Sequence, residues 1–236
     1  MGEFQYYEFQ AIDRPLDRED QAALRALSTR ARITAASFTN HYEWGDFKGD
    51  PRRMVERWFD LHLYLTNWGT RRLMMRLPKR RIERSSLNAF LTDVDWVQVW
   101  EKRDHLIVDM WRDEVEQGYD DWDDGSGWLG ALAPLRGDVL SGDMRLFYLL
   151  WLTALDDGLL EADETEPLAG IGPLTGTLEA AAEFFSIDRD LVVAAAERIG
   201  GAERMVCGDR LRDAAAGPRT VADLERRAAN IRSAPP

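Results

Sequence analysis

Hydrophobic and polar positions alternate between residues 61 and 66, where three leucines are separated by His, Tyr and Thr. A period of two residues is typical of a β-strand with one buried face. Trp68-Gly69 supplies a turn, and residues 70–78 can return as the partner strand. A helix that continues from Pro51 through Leu65 is the competing interpretation. We favour the hairpin because Gly and β-branched Thr residues disfavour a helix here.

A second hairpin is predicted between residues 96 and 111. The segments 96–101 and 105–111 are rich in aromatic and β-branched residues, which favour strands. The three residues between them, 102–104, are polar and form a short joint.

The start of the chain has the order strand, helix, strand. Residues 4–12 are rich in Tyr and Phe, Asp17 can cap the helix that follows, and residues 32–42 can form a second strand. A strand–helix–strand crossover most often joins parallel strands with a right-handed connection. We therefore expect a mixed sheet with flanking helices in the N-terminal half.

The second half of the chain changes to helical signals. Ser141 and Gly158 bracket a strongly apolar segment, and further helices are predicted at 177–185, 188–199 and 220–231. The fold class is therefore α+β. We expect a sheet-containing region at 1–118 and a mainly helical region at 119–236, and the two can also pack as one continuous domain.

Charge is distributed unevenly along the chain. The formal net charge is -12, yet residues 71–84 contain seven bases and one acid, whereas 113–124 and 156–166 contain seven and six acids and no base. We name the seven bases the basic strip; they are Arg71, Arg72, Arg76, Lys79, Arg80, Arg81 and Arg84. Core-like Leu and Met residues interrupt them, so packing against an acidic run is the first interpretation. The alternative is an accessory protein that binds nucleic acid or another polyanion.

The sequence YDDWDDGSGW, residues 119–128, combines acids, aromatics and glycines, and we name it the acidic tryptophan segment. If Gly125 were the sixth residue of an EF-hand loop, Trp122 would occupy a ligand position and Ala131 the position of the bidentate Glu, which excludes that motif. An irregular cation site and a solvated linker are two other interpretations. Aromatic anchors inside an acidic rim indicate protein binding. The predicted partner-binding residues are Tyr119, Asp120, Asp121, Trp122, Asp123, Asp124 and Trp128.

The remaining class of function is a metal- or phosphate-dependent enzyme whose site residues come together only in the folded protein. His41 and His62 could combine with Asp46 or Asp60 as metal ligands, although none has the spacing of a zinc motif. Lys48-Gly49 before a helix start resembles a phosphate loop only weakly. The sequence identifies no cofactor and no reaction.

Composition and the lengths of apolar runs indicate where in the cell the protein is expected. The single cysteine excludes an internal disulfide, no signal sequence begins the chain, and no apolar run reaches the length of a membrane span. We therefore expect a soluble cytoplasmic protein. The favoured function is an interaction or accessory module that acts through a protein partner or self-association, with nucleic acid as a less favoured partner.

Overall fold

The computed structural model describes residues 3–113, 115, 123–197 and 219–233, and it confirms the α+β class. Within these residues, seven strands form one sheet in the order β2-β3-β1-β4-β5-β7-β6. The strands are β1 (Gln5–Gln10), β2 (Arg32–Ile33), β3 (Ser37–Tyr42), β4 (Leu61–Thr66), β5 (Arg71–Pro78), β6 (Val97–Lys102) and β7 (His105–Arg112). The helices are α1 (Arg18–Leu27), α2 (Pro51–Arg57), α3 (Asn88–Leu91), α4 (Trp128–Leu132), α5 (Pro134–Leu140), α6 (Arg145–Asp156), α7 (Gly176–Phe184), α8 (Arg189–Ala196) and α9 (Val221–Arg232).

The chain divides into two compact units. The first unit contains residues 1–84 and 96–136, and it includes the whole sheet. The second unit contains residues 85–95 and 137–236, and its described part is helical.

Every strand pair in the sheet is antiparallel, which corrects the expectation of a mixed sheet with a parallel crossover. The predicted single strand at 32–42 contains a reversal. The backbone N–H of Thr34 donates to Ser37 O at 2.9 Å, and the Thr34 hydroxyl accepts from Ala36 N at 3.1 Å. This turn separates β2 from β3, so β3 enters the sheet beside β1 in the opposite direction.

Both predicted hairpins are confirmed. Strands β4 and β5 pair directly, and so do β6 and β7. The face of the sheet that carries Phe9 and Phe38 packs under α1 and α2, where Leu24, Met54 and Phe59 are fully or almost fully buried. Burying each such side chain contributes roughly 1.5–3 kcal/mol.

Helix α6 is the centre of the second unit. All its residues from Leu146 to Leu155 are buried, as expected for a helix that is apolar on every side. Helices α3, α7 and α8 contact it, and α9 packs against α8. The predicted helix is confirmed, but it begins at Arg145 rather than at the expected cap Ser141, because Ser141 closes the preceding turn.

Candidate functional site

The described part of the acidic tryptophan segment forms a turn before α4. Asp123 accepts from Gly125 N at 2.8 Å and from the indole of Trp128 at 2.6 Å, and its carboxylate lies 3.7 Å from Arg71. Asp124 accepts from Ser126 N at 2.9 Å. These carboxylates therefore stabilise local structure. The other predicted partner-binding residues, Tyr119, Asp120, Asp121 and Trp122, lie outside the described residues.

Gly125 allows this turn to lie against the sheet. Its φ of +78° lies in the left-handed region, and a Cβ atom there would lie 2.5 Å from the ring of Tyr6. Both the backbone conformation and the close approach to Tyr6 favour glycine.

The basic strip is split between the interior and the surface of the first unit. Arg72 makes two 2.7 Å hydrogen bonds to Asp109, and Arg76 donates to Asp60 at 2.8 and 3.1 Å. Arg71 is also buried. The remaining members, Lys79, Arg80, Arg81 and Arg84, are exposed. Three of the seven bases are thus unavailable to a polyanion, and the two best-paired ones are neutralised by single aspartates within the sheet region.

The four residues of the predicted metal site do not come together. His41 pairs in register with Tyr6 and His62 with Phe9, so the two histidines lie on opposite faces of the sheet. Asp60 is fully buried and accepts hydrogen bonds from Arg76 and from two backbone amides. Across residues 3–113, 115, 123–197 and 219–233, no three His, Cys, Asp or Glu side chains gather in an arrangement that could hold a metal ion.

His62 is a core residue. Its ring is fully buried and stacked on Phe9 at a centroid distance of 3.9 Å. Nδ1 lies 3.0 Å from Glu8 O, whereas Nε2 has no partner. Burial, assisted by the charge of Arg72, lowers the pKa of His62 well below its ordinary value, so the ring is neutral.

Three tryptophans are exposed at one end of the sheet, and we name this surface the tryptophan end. Trp44 follows β3, Trp68 lies in the β4–β5 turn, and Trp111 lies near the end of β7. Their relative exposures are 80%, 49% and 39%. From β3 to β7 there are four strand intervals, or about 19 Å at 4.8 Å per interval. Indole side chains are usually buried, so three exposed indoles at one end of the sheet make it a candidate contact site.

Acidic side chains surround the tryptophan end. Glu3, Glu43, Asp46, Asp113 and Asp124 are exposed in the segments that adjoin the strand ends there. In the described part of these segments, residues 3–4, 43–49, 67–70, 113 and 123–127, the exposed base is Lys48. The tryptophan end therefore combines three exposed indoles with five exposed acids, which we name its acidic rim, whereas its bases, among the residues described, are the exposed Lys48 and the half-buried Arg112 at the end of β7.

Trp111 is held in a fixed position. The guanidinium of Arg72 lies 4.5 Å from the ring centroid, and the indole N–H donates to Asp113 at 2.8 Å. Asp113 in turn accepts from the hydroxyl of Thr70 at 2.8 Å. Because Asp109 fixes Arg72, the ring of Trp111 is held in one position within the folded protein.

The loop that carries Trp44 is held in place by contacts with β1. The amide of Gln5 donates to Asp46 at 3.3 Å and accepts from the hydroxyl of Tyr7 at 2.7 Å. Phe47 packs on Tyr7 with 5.1 Å between ring centroids. Burial, reinforced by Tyr64 and Asp46, raises the pKa of Tyr7, which keeps its hydroxyl protonated as a donor.

Two Trp-Gly pairs in the sequence carry a signal for this site. Trp44 and Trp68 each precede a glycine, Gly45 and Gly69, at the end of a strand. Both glycines have positive φ, of 76° and 96°, so each Trp-Gly pair marks a tight turn. A Trp-Gly pair at a strand end therefore predicts an indole in a surface turn, and this is the signal that Trp44 and Trp68 share.

Comparison with protein-family models, with curated proteins and with solved structures found no match for this chain. In the described ranges, no helix combines the length and apolar character that a membrane span requires.

Proposed function

We propose that this chain is a protein-interaction module and that its tryptophan end binds a basic, extended segment of another protein. The observation that carries the proposal is the exposure of Trp44, Trp68 and Trp111 on one surface with an acidic rim. Trp is enriched at the positions that dominate binding energy, and Arg or Lys can place its charge over an indole ring.

The dimensions of the surface support an extended occupant. A distance of about 19 Å corresponds to roughly six residues at 3.3 Å each. Arg72 over Trp111 shows the contact geometry that an incoming arginine could repeat on Trp44. Such a segment would bring positive charge to Glu43, Asp46 and Asp113, and oppositely charged patches favour association.

Selection from a library of random eight-residue peptides tests this proposal. We expect the protein to enrich peptides that contain Arg or Lys, and we expect Trp44→Ala to bind the selected peptides roughly tenfold or more weakly. Because Trp44 is 80% exposed, its removal should leave the fold intact. Calorimetry gives the affinities, and circular dichroism checks the fold.

Ile12→Ala is the matched control. Ile12 is 46% exposed and follows β1 at the opposite end of the same sheet, so this variant should bind like the unaltered protein. The proposal is wrong if no peptide is enriched, if the enriched peptides lack bases, or if Trp44→Ala and Ile12→Ala bind equally well.

A further inference from the structure

The two edges of the sheet differ in how they are protected against pairing. Edge strand β2 contains two residues, whereas edge strand β6 contains six. Among the described strands, β6 pairs with β7 alone. Short edge strands resist pairing with other chains, and long open ones invite it.

The outer edge of β6 presents its backbone groups at three residues. The N–H of Trp111 donates to Trp96 O at 3.0 Å, which shows that even-numbered residues of β6 direct their backbone toward β7. Backbone groups alternate in direction along an antiparallel strand. Those of Val97, Val99 and Glu101 therefore point away from the sheet.

The side chains of β6 offer little protection at its centre. Val97 and Val99 are partly exposed and carry no charge. The charged residues lie at the C-terminal end of the strand, where Glu101 accepts from Lys79 at 2.7 Å and Lys102 lies 2.8 Å from Glu56. Edge strands are usually guarded by charged side chains, and here Glu101 and Lys102 lie at one end of the strand and pair within the chain.

We propose that two copies of this chain associate by antiparallel pairing of their β6 strands about a two-fold axis at Val99. This register opposes all three outward-facing residues, with Val97 opposite Glu101 of the second copy and Val99 opposite itself, and it places Gln98 opposite Trp100. Asp95 lies just before the strand and Arg103 just after it, so antiparallel self-pairing brings the acidic end of one strand near the basic end of the other. An isologous contact of this kind closes after two copies.

Neighbouring registers are less complementary. With Gln98 on the axis, Val97 would lie opposite Val99 of the second copy, and Glu101 would have no strand residue opposite it. With Trp100 on the axis, Val99 would lie opposite Glu101, and Val97 would have no strand residue opposite it. The register centred on Val99 is therefore favoured. A single strand pair makes a small interface, so we expect dissociation constants on the order of micromolar.

Cysteine cross-linking tests both the contact and its register. In a Cys207→Ser background, Val99→Cys should form an intermolecular disulfide on mild oxidation. The Cα atoms of opposed hydrogen-bonded residues lie about 5.5 Å apart, which a disulfide can bridge. Val97→Cys and Glu101→Cys should each remain uncross-linked alone and should cross-link to each other when mixed. Cross-linking of either alone, or none in the mixture and none at Val99, overturns the proposed register.

Analytical ultracentrifugation measures the association without a disulfide. Val99→Lys should weaken dimerisation by about tenfold or more, because two lysines would face each other on the axis. Leu159→Lys, at an exposed position, is the matched control and should dimerise normally. The self-association proposal is wrong if the unaltered chain sediments as a monomer at about 100 µM, which is well above the expected dissociation constant. It is also wrong if Val99→Lys dimerises as well as Leu159→Lys does. Peptide binding at the tryptophan end is measured separately and does not depend on this result.

Discussion

Individual arginines in the sheet act as structural residues rather than as surface charge. Arg72 is clamped by Asp109 in a bidentate pair and supports the ring of Trp111. Arg76 satisfies the buried carboxylate of Asp60. Removing one partner of such a pair leaves an unpaired buried charge, so both sites are sensitive to substitution. The side chain of Arg72 thus links the stability of the sheet to the shape of the tryptophan end.

His62 predicts a pH dependence of stability. Its pKa is lowered by burial in the folded protein, whereas in the unfolded chain it is near 6.5. Between these two values the unfolded chain binds a proton and the folded protein does not. The free energy of unfolding should therefore be highest above pH 6.5 and fall below it by at most about 1.4 kcal/mol per pH unit from this residue.

Urea unfolding between pH 5 and pH 8 measures this effect, with His62→Phe as the comparison. The Phe ring suits the stack on Phe9 and cannot be protonated, so the variant should lose part of the decline below pH 6.5. His105, whose pKa is also lowered by burial, is retained in both proteins and contributes equally. Identical slopes for the two proteins would show that His62 does not titrate as described.

At the level of elements, local patterns predicted much of the fold. Period-two alternation located β4, and aromatic and β-branched residues located β6 and β7. The chain reversal between β2 and β3 was not predicted, because the turn there contains Ala35 and Ala36 rather than Gly or Pro. Its signal is the side-chain hydrogen bond of Thr34, which competes locally with an extended backbone.

The tryptophan end was missed because it depends on which strands pair and in which order. Trp44, Trp68 and Trp111 are distant in sequence and lie at one end of the sheet because β3, the β4–β5 turn and β7 end on the same side. Sequence reasoning identified acidic and aromatic residues as a binding surface but placed them in one contiguous segment. Register and strand order, which are long-range properties, determine which tryptophans are exposed together.

Helix α9 depends on one buried carboxylate in the second unit. Glu166 is almost fully buried and accepts at 2.9 Å from both Arg219 and Arg227, and the hydroxyl of Tyr148 donates to it. Because Arg227 belongs to α9, Glu166→Gln should leave two arginines without their counter-charge. We expect a loss of about 3 kcal/mol in the free energy of unfolding and faster amide exchange in α9.

Glu183→Gln is the control for this prediction, since Glu183 is exposed on α7 and should change stability by under about 0.5 kcal/mol. Chemical denaturation gives the stability of each variant, and hydrogen exchange locates the change. If both variants unfold alike and α9 exchanges at the same rate, the Glu166 cluster does not hold the helix.

At the scale of the whole molecule, the net charge of -12 acts together with the acidic rim of the tryptophan end. The Debye length is about 8 Å at physiological ionic strength, so we expect nearby acids such as Glu43 to steer the proposed basic peptide more than distant acids do. Charge at a rim mainly alters the rate of association, whereas the aromatic contacts control dissociation. The two contributions can therefore be separated kinetically.

Stopped-flow binding of a selected basic peptide at 50 and 300 mM NaCl tests this separation. We expect the association rate to fall about tenfold or more with added salt and the dissociation rate to change by under about threefold, because steering is screened while the indole contacts persist. Glu43→Gln should slow association, and Asp104→Asn, an exposed acid at the opposite end of the sheet, should have less effect. A salt effect confined to dissociation, or equal effects of the two variants, would mean that the rim does not steer the partner.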